Sequence, residues 1–257
     1  MNCMENKIIQ KLKEIETSHN IKILYACESG SRAWGFNSPD SDYDVRFIYV
    51  HPQDWYLSIY EKRDVIEYPI TDNLDINGWD LRKALQLLRK SNPSLLEWIN
   101  SPITYYKDIN TFPFIPQLAR QAFSPAPALY HYLHMAKGGF KEYLQGDTVL
   151  LKKYLHVLRP LIAMRYIEEY LEIPPTDFLK TLESITIPSE IIELINKLIT
   201  MKQTGYELGF NSKIPALSDF IQSEFDRWNS TGIPKIEPLM PISELDDFFR
   251  YCLKKCW

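Results

Sequence analysis

Residues 30–46 read GSRAWGFNSPDSDYDVR, and this stretch sets the expectation for the whole chain. Asp42 and Asp44 stand one residue apart, where a polar stretch gives way to Val45–Val50, VRFIYV, an apolar run with the composition of a strand. Strand side chains alternate faces, so residues i and i+2 point the same way, about 6.5–7 Å apart. Two carboxylates on one face offer hard oxygen ligands to a divalent cation. Mg²⁺ takes a few such oxygens and leaves the rest of its shell to water and phosphate, as phosphoryl and nucleotidyl transfer require. Upstream, Gly30 and Ser31 follow a second strand-like run, Ile21–Ala26. Glycine lets a backbone approach a ligand closely, and the Ser31 hydroxyl can hydrogen-bond a phosphate oxygen. A helix opening near Arg32–Trp34 would aim N–H groups at an anion, Arg32 would add a charge, and Gly35 permits a tight exit. Singly, Gly-Ser is a turn and Asp-x-Asp is a solvated loop or a cap. The succession of strand, Gly-Ser, spacer, Ser41-Asp-x-Asp and strand carries the reading.

Outward from this segment, residues 5–19 have Ile8, Ile9, Leu12 and Ile15 at helical spacing. Asp64–Ile70 and Leu74–Trp79 read as strand segments around a turn at Thr71–Asn73, and Leu81–Arg89 reads as a helix. Pro93 suits the first turn of the next helix. From about residue 112 the pattern is helical, in Ala128–Leu144, Leu150–Leu171 and Pro188–Leu208. Pro160 should kink or split the second of these, and Gly138-Gly139 breaks the pattern of the first. The expected architecture is α+β: a small α/β domain over residues 1–110, then a mostly helical domain over residues 111–257.

Composition narrows the function. The chain has 257 residues, 45% hydrophobic and 24% charged, which is an ordinary globular profile. A net charge of −4 argues against adhesion to nucleic acid by bulk charge, leaving room for a local basic groove. The four cysteines form no regular framework, and a zinc site at Cys252 and Cys256 lacks a second pair nearby. His131 and His134, a turn apart, are more economically packed or solvated than metal-bound. No apolar run reaches the roughly 18 residues of a membrane span, so the cytoplasm is the expected location.

The segment GSRAWGFNSPDSDYDVR resembles the signature of the DNA polymerase β-like nucleotidyltransferases. Within that superfamily it is most similar to the predicted nucleotidyltransferases associated with RNA ligases. DINGWDLRKALQLLRKSNPSLLEWINSP, residues 75–102, resembles that family's next block, and LKKYLHVLRPLIAMRYIEEYLEIPP, residues 151–175, its helical block. The resemblance implies a polymerase β-like catalytic domain and a third carboxylate on a neighbouring strand. Asp75 is the best match, completing a metal set with Asp42 and Asp44 and serving as a candidate base for the incoming hydroxyl. Glu67 and Asp80 are alternatives, although Asp80 also suits the N-cap of the following helix. The implied nucleotide-binding residues are Gly30, Ser31, Arg32, Ser41, Lys83, Lys153 and Arg159, with Lys152 on the same helix face as Arg159. Trp34, Phe36 and Tyr43 are candidates to stack on a base or to pack inside.

The expected reaction moves an NMP from an NTP, with Mg²⁺ or Mn²⁺, onto an acceptor hydroxyl of RNA, protein or a small molecule. RNA repair or end processing follows from the family context alone. An antitoxin-like or regulatory protein acting on a partner, or a nucleotide-binding pseudoenzyme, are the rival readings. The intact Asp-x-Asp speaks against the last.

Overall fold

The computed structural model describes residues 3–205, 209–234 and 240–257. Contacts divide the chain into two units. One comprises Met1–Ala33, Asp42–Phe123 and Pro238–Trp257; the other comprises Trp34–Ser41 and Ser124–Glu237.

The first unit is built on a mixed sheet. Its strands are β1 (Lys22–Glu28), β2 (Tyr43–Val50), β3 (Val65–Glu67), β4 (Leu74–Asp80) and β5 (Thr104–Lys107). They lie in the order β3-β4-β2-β1-β5. β2 and β4 run parallel, and the other pairs are antiparallel. Helix α1 (Cys3–His19) buries Ile8, Leu12 and Ile15 in one core with Val45, Phe47 and Tyr49 of β2 and Ile76 of β4. Gly78 is needed in β4 because a Cβ there would lie 2.2 Å from the Phe47 ring. Strand alternation sends Asp44, Arg46 and Ile48 to the opposite face. There Ile48 lies with Leu81, Ala84, Leu85 and Leu88 of α4 (Leu81–Arg89), and with Leu95 and Ile99 of α5 (Pro93–Ile99), in a second apolar cluster.

Local sequence sets the ends of these elements. Asp80 caps α4 by accepting from Arg82 N at 2.8 Å, and Asn92 caps α5 by accepting from Leu95 N at 3.2 Å with Pro93 in the first turn. Asp72 and Asn73 take positive φ, 51° and 59°, at the turn before β4. Short one-turn helices α2 (Gly30–Ala33) and α3 (Gln53–Tyr56), together with α6 (Phe114–Ala122) and α12 (Ile242–Cys256), complete the unit. A single cut at residue 110 therefore differs from the contact grouping. α6 packs on α4 and α5, and α12 returns from the C-terminus to pack on α4 and β2.

The second unit is helical: α7 (Pro125–Tyr143), α8 (Lys152–Tyr170), α9 (Phe178–Ser184), α10 (Ser189–Gln203) and α11 (Pro215–Thr231). A two-stranded pairing of β6 (Thr148–Leu150) and β7 (Phe210–Ser212) joins it. α8 lies against α7, α9, α10 and α11. It continues through Pro160 without the split that the proline suggests; packing around this buried residue outweighs its missing N–H. α7 likewise runs through Gly138-Gly139. The expected helix 188–208 ends at Gln203, and its last three residues lie outside the described residues. Glu224, 2% exposed, is held by Arg165 and Arg227, which ties α11 to α8.

Candidate active site

The Gly-Ser segment and the Asp-x-Asp segment meet at the start of β2. Asp42 precedes the strand with an exposed side chain, and Asp44 is its second residue. Because β2 and β4 are parallel and in register, Asp44 lies directly opposite Asp75. The two carboxylates are 26% and 28% exposed.

One guanidinium bridges them. Arg46 Nη2 donates to Asp44 Oδ1 at 3.2 Å and to Asp75 Oδ2 at 2.7 Å. Its Nη1 donates to the carbonyls of Val45 and Asp75, each at 3.0 Å. Asp44 is closed in from the other side by Gly30, whose φ is +59°; a Cβ there would lie 2.0 Å from Asp44 Oδ2. Glycine is thus required twice over at position 30, by conformation and by space. Ser29 N donates to Asp44 O at 2.8 Å, which ties the turn to the strand.

Beneath Asp44 lies Glu28, fully buried at the end of β1. Its Oε1 accepts from Asp44 N at 2.9 Å, and its Oε2 accepts from the Tyr105 hydroxyl of β5. Burial raises the Glu28 pKa to about 7, against the lowering effect of these two hydrogen bonds. Asp44 is also raised, first by burial, then by the charges of Asp75 and Asp42, while Arg46 and Arg32 oppose the shift. Asp42 is therefore within electrostatic reach of Asp44.

Ser31 is partly exposed in the one-turn helix α2. Arg32 donates through Nε to Asp42 O at 3.1 Å and stacks on Tyr43, 3.9 Å from the ring centroid. Ser41 sits in a turn, where its Oγ accepts from Ser38 N at 2.9 Å. The alternatives for the third carboxylate are elsewhere. Glu67 pairs with Arg63 at 2.8 Å on edge strand β3, and Asp80 is the buried cap at the far end of β4. Lys83 is not brought to the carboxylates. It follows the C-terminal end of β4, while Asp75 lies near its start, and its Nζ pairs with Asp64 at 3.0 Å.

Lys153 and Arg159 belong to the second unit, in a cationic cluster on α8. Arg159 stacks on Trp34 at 4.1 Å, Lys153 on Tyr143 at 3.9 Å, and Lys202 of α10 on buried Phe36 at 4.8 Å. His156 packs edge-on against Trp34. Desolvation pushes its pKa down to about 4, although the residue as a whole is exposed, and the charges of Lys153, Arg159, Lys202 and Lys152 add to the effect.

Hard carboxylate oxygens suit a divalent cation of the Mg²⁺ or Mn²⁺ type, and a pair facing each other across two strands can share one. The donor chemistry fits, but the bridge between the pair is made by Arg46. Among the described residues no group of three or more His, Cys, Asp or Glu side chains is arranged to hold a metal, and this covers Asp42, Asp44 and Asp75 as they stand, as well as Cys252, Cys256 and the histidines of α7. Nor, among the described residues, is any helix long and apolar enough to cross a membrane. Three residues of this site escape the sequence reading. Arg46 had a visible signal, since it stands two residues after Asp44 on the same strand face. Glu28 is marked only as an acid closing an apolar run, and nothing local marks Tyr105.

A Gly-Ser turn pressed on paired strand carboxylates in a mixed α+β fold is the arrangement that the resemblance to the polymerase β-like nucleotidyltransferases leads one to expect. Residues 4–251 match the RNA repair pathway DNA polymerase beta family (RlaP), and the chain belongs to that family. Membership makes it a nucleotidyltransferase with an NTP as substrate. It is 49% identical over 255 residues to "Uncharacterized protein YcgL" of Bacillus subtilis (strain 168), covering 99% of this chain and 98% of that protein. Among solved structures, a nucleotidyltransferase-like protein from Exiguobacterium sibiricum 255-15 aligns at 10% identity with a TM-score of 0.32, over 86% of this chain and 78% of that one.

Proposed function

We propose that the protein transfers an NMP from an NTP to the hydroxyl of an RNA end, with Asp42, Asp44 and Asp75 as ligands for Mg²⁺ or Mn²⁺. The observation that carries the proposal is the in-register pairing of Asp44 with Asp75, with Gly30 of the Gly-Ser turn packed against Asp44. RNA is favoured as acceptor because RNA repair stands in the family's description.

A bound divalent cation would neutralise phosphate charge and make the acceptor hydroxyl more acidic. The chain's own residues do the rest. Gly30 lets the backbone come close to the triphosphate, the Ser31 hydroxyl donates to a phosphate oxygen, and Arg32 adds a fixed charge beside them. Ser41 holds the turn that delivers Asp42. Asp75 takes the proton of the attacking hydroxyl, which displaces pyrophosphate from the α-phosphorus. Glu28 and Tyr105 act from behind, fixing the backbone of Asp44. Lys153 and Arg159 belong to a cluster with the charge to bind nucleotide or acceptor phosphates. Lys83 is left out, because its ammonium is engaged by Asp64 at the other end of β4.

The test is a transfer assay with each of four α-labelled NTPs, Mg²⁺ or Mn²⁺, and separate pools of RNA, protein and small molecules. Label in the RNA pool that disappears with Asp42→Asn/Asp44→Asn supports the proposal. Label confined to the protein pool moves the reading to a regulatory protein modifier.

A further inference from the structure

The carboxylate pair already has a cation, and that cation is part of the chain. A single nitrogen, Arg46 Nη2, lies 3.2 Å from Asp44 Oδ1 and 2.7 Å from Asp75 Oδ2. The other oxygen of Asp44 faces the Cα of Gly30 so closely that no Cβ would fit between them. Asp44 therefore turns one oxygen to Arg46 and the other to the Gly-Ser turn. The guanidinium is also pinned through Nη1 to two backbone carbonyls, and the side chain is only 17% exposed. A planar fork can make all four bonds at once, which a lysine cannot.

We propose that Arg46 is the built-in counter-cation of the Asp44–Asp75 pair, so that a divalent ion must displace its Nη2 from these carboxylates before it can bind. Two carboxylates opposite one another on adjacent strands repel, and Arg46 removes that repulsion in the absence of metal. The same contact makes the metal-free protein a poor ligand for a divalent ion. Loading is thereby reserved for the moment when a triphosphate supplies further oxygens to the ion and further negative charge to the guanidinium. Arg46 is a positioning residue in this scheme. It is drawn aside by competition for the carboxylates, not by chemistry on the nucleotide. The inference rests on reading Asp44 and Asp75 as metal ligands.

Mn²⁺ binding to the nucleotide-free protein, followed by the electron paramagnetic resonance signal of unbound Mn²⁺, separates the two claims. Arg46→Gln should bind Mn²⁺ about 10-fold or more tightly than wild type, the scale on which neighbours of metal ligands act. Its melting temperature should drop in EDTA and climb further with added Mn²⁺ than that of wild type, which loss of a merely structural ion pair would not produce. Arg46→Lys should fall between the two and carries the comparison if the glutamine variant does not fold. The double variant Asp44→Asn/Asp75→Asn should lose the binding. If that double variant binds Mn²⁺ as wild type does, the ligand reading fails and the proposal with it. If the double variant loses binding while neither Arg46 variant binds more tightly than wild type, the ligand reading stands and Arg46 is no competitor.

Discussion

Strand β4 carries Asp75 near its start and Asp80 at its end, roughly 17 Å apart along a strand that rises about 3.3 Å per residue. Asp75 is 28% exposed, faces a second carboxylate across the sheet and shares one guanidinium with it. Asp80 is fully buried, accepts from the Tyr56 hydroxyl at 2.6 Å and from Arg82 N at 2.8 Å, and caps α4. Every polar need of Asp80 is met by its own chain. The Asp44–Asp75 pair instead leaves two like charges side by side, partly open to solvent, with a single cation between them. A fold gains nothing from the second arrangement that the first does not give more cheaply, so the start of β4 is where chemistry is to be sought.

The largest effect should come from that end. Asp44→Asn and Asp75→Asn are each expected to lower NMP transfer by about 10²–10³-fold or more, the scale seen when a transition-state charge loses its partner. The melting temperature should move by less than about 4 °C, because neutralising one member relieves the repulsion that Arg46 now offsets. Transfer at the wild-type rate in both variants would put the chemistry elsewhere.

At the other end the expected loss is in stability. Asp80→Ala at pH 5 removes the cap and leaves the Tyr56 hydroxyl without its acceptor. The cost should be about 2–4 kcal/mol in urea denaturation, with transfer per folded molecule retained. A transfer rate that collapses while stability holds would reverse the two assignments.

The pH dependence of Asp80 sharpens the contrast. Burial raises its pKa from 3.8 to about 6. The folded state therefore binds a proton that the unfolded state releases between about pH 4 and pH 6, so stability falls as pH rises through that window. The contribution is full below about pH 4 and is lost above about pH 6, on the order of 3 kcal/mol. Asp80→Asn keeps an acceptor for Arg82 N but cannot ionise. Its stability relative to wild type should rise from pH 4 to pH 7, as read from urea midpoints. A flat difference would mean that Asp80 ionises at its ordinary value despite its burial.

The two ends also differ in how far the sequence discloses them. Asp42 and Asp44 are legible because strand periodicity is local, and the cap at Asp80 because an acid before an apolar helix is a local signal. The pairing of Asp44 with Asp75 needs the parallel register of β2 and β4, which depends on how 30 intervening residues fold back and not on any short pattern. The same holds for β5, whose Thr104–Lys107 become a strand only by pairing with β1, and for α12, which joins the sheet unit from the far end of the chain. Pro160 shows the converse. Its local rule is sound, yet α8 is packed on so many sides that one missing hydrogen bond does not end it.

Lys83 gives the smallest expected effect and the closest test of the distance between the two ends. It lies beyond the C-terminal end of β4, and its Nζ pairs with Asp64, itself 41% exposed. An ion pair this open contributes about 0.2–1 kcal/mol, so Lys83→Gln should shift stability by no more than that. Its KM for NTP should stay within about 2-fold of wild type, since a charge screened over roughly 8–10 Å adds little at this separation. A KM raised well beyond that, and restored by Lys83→Arg, would mean that the nucleotide or its acceptor spans β4.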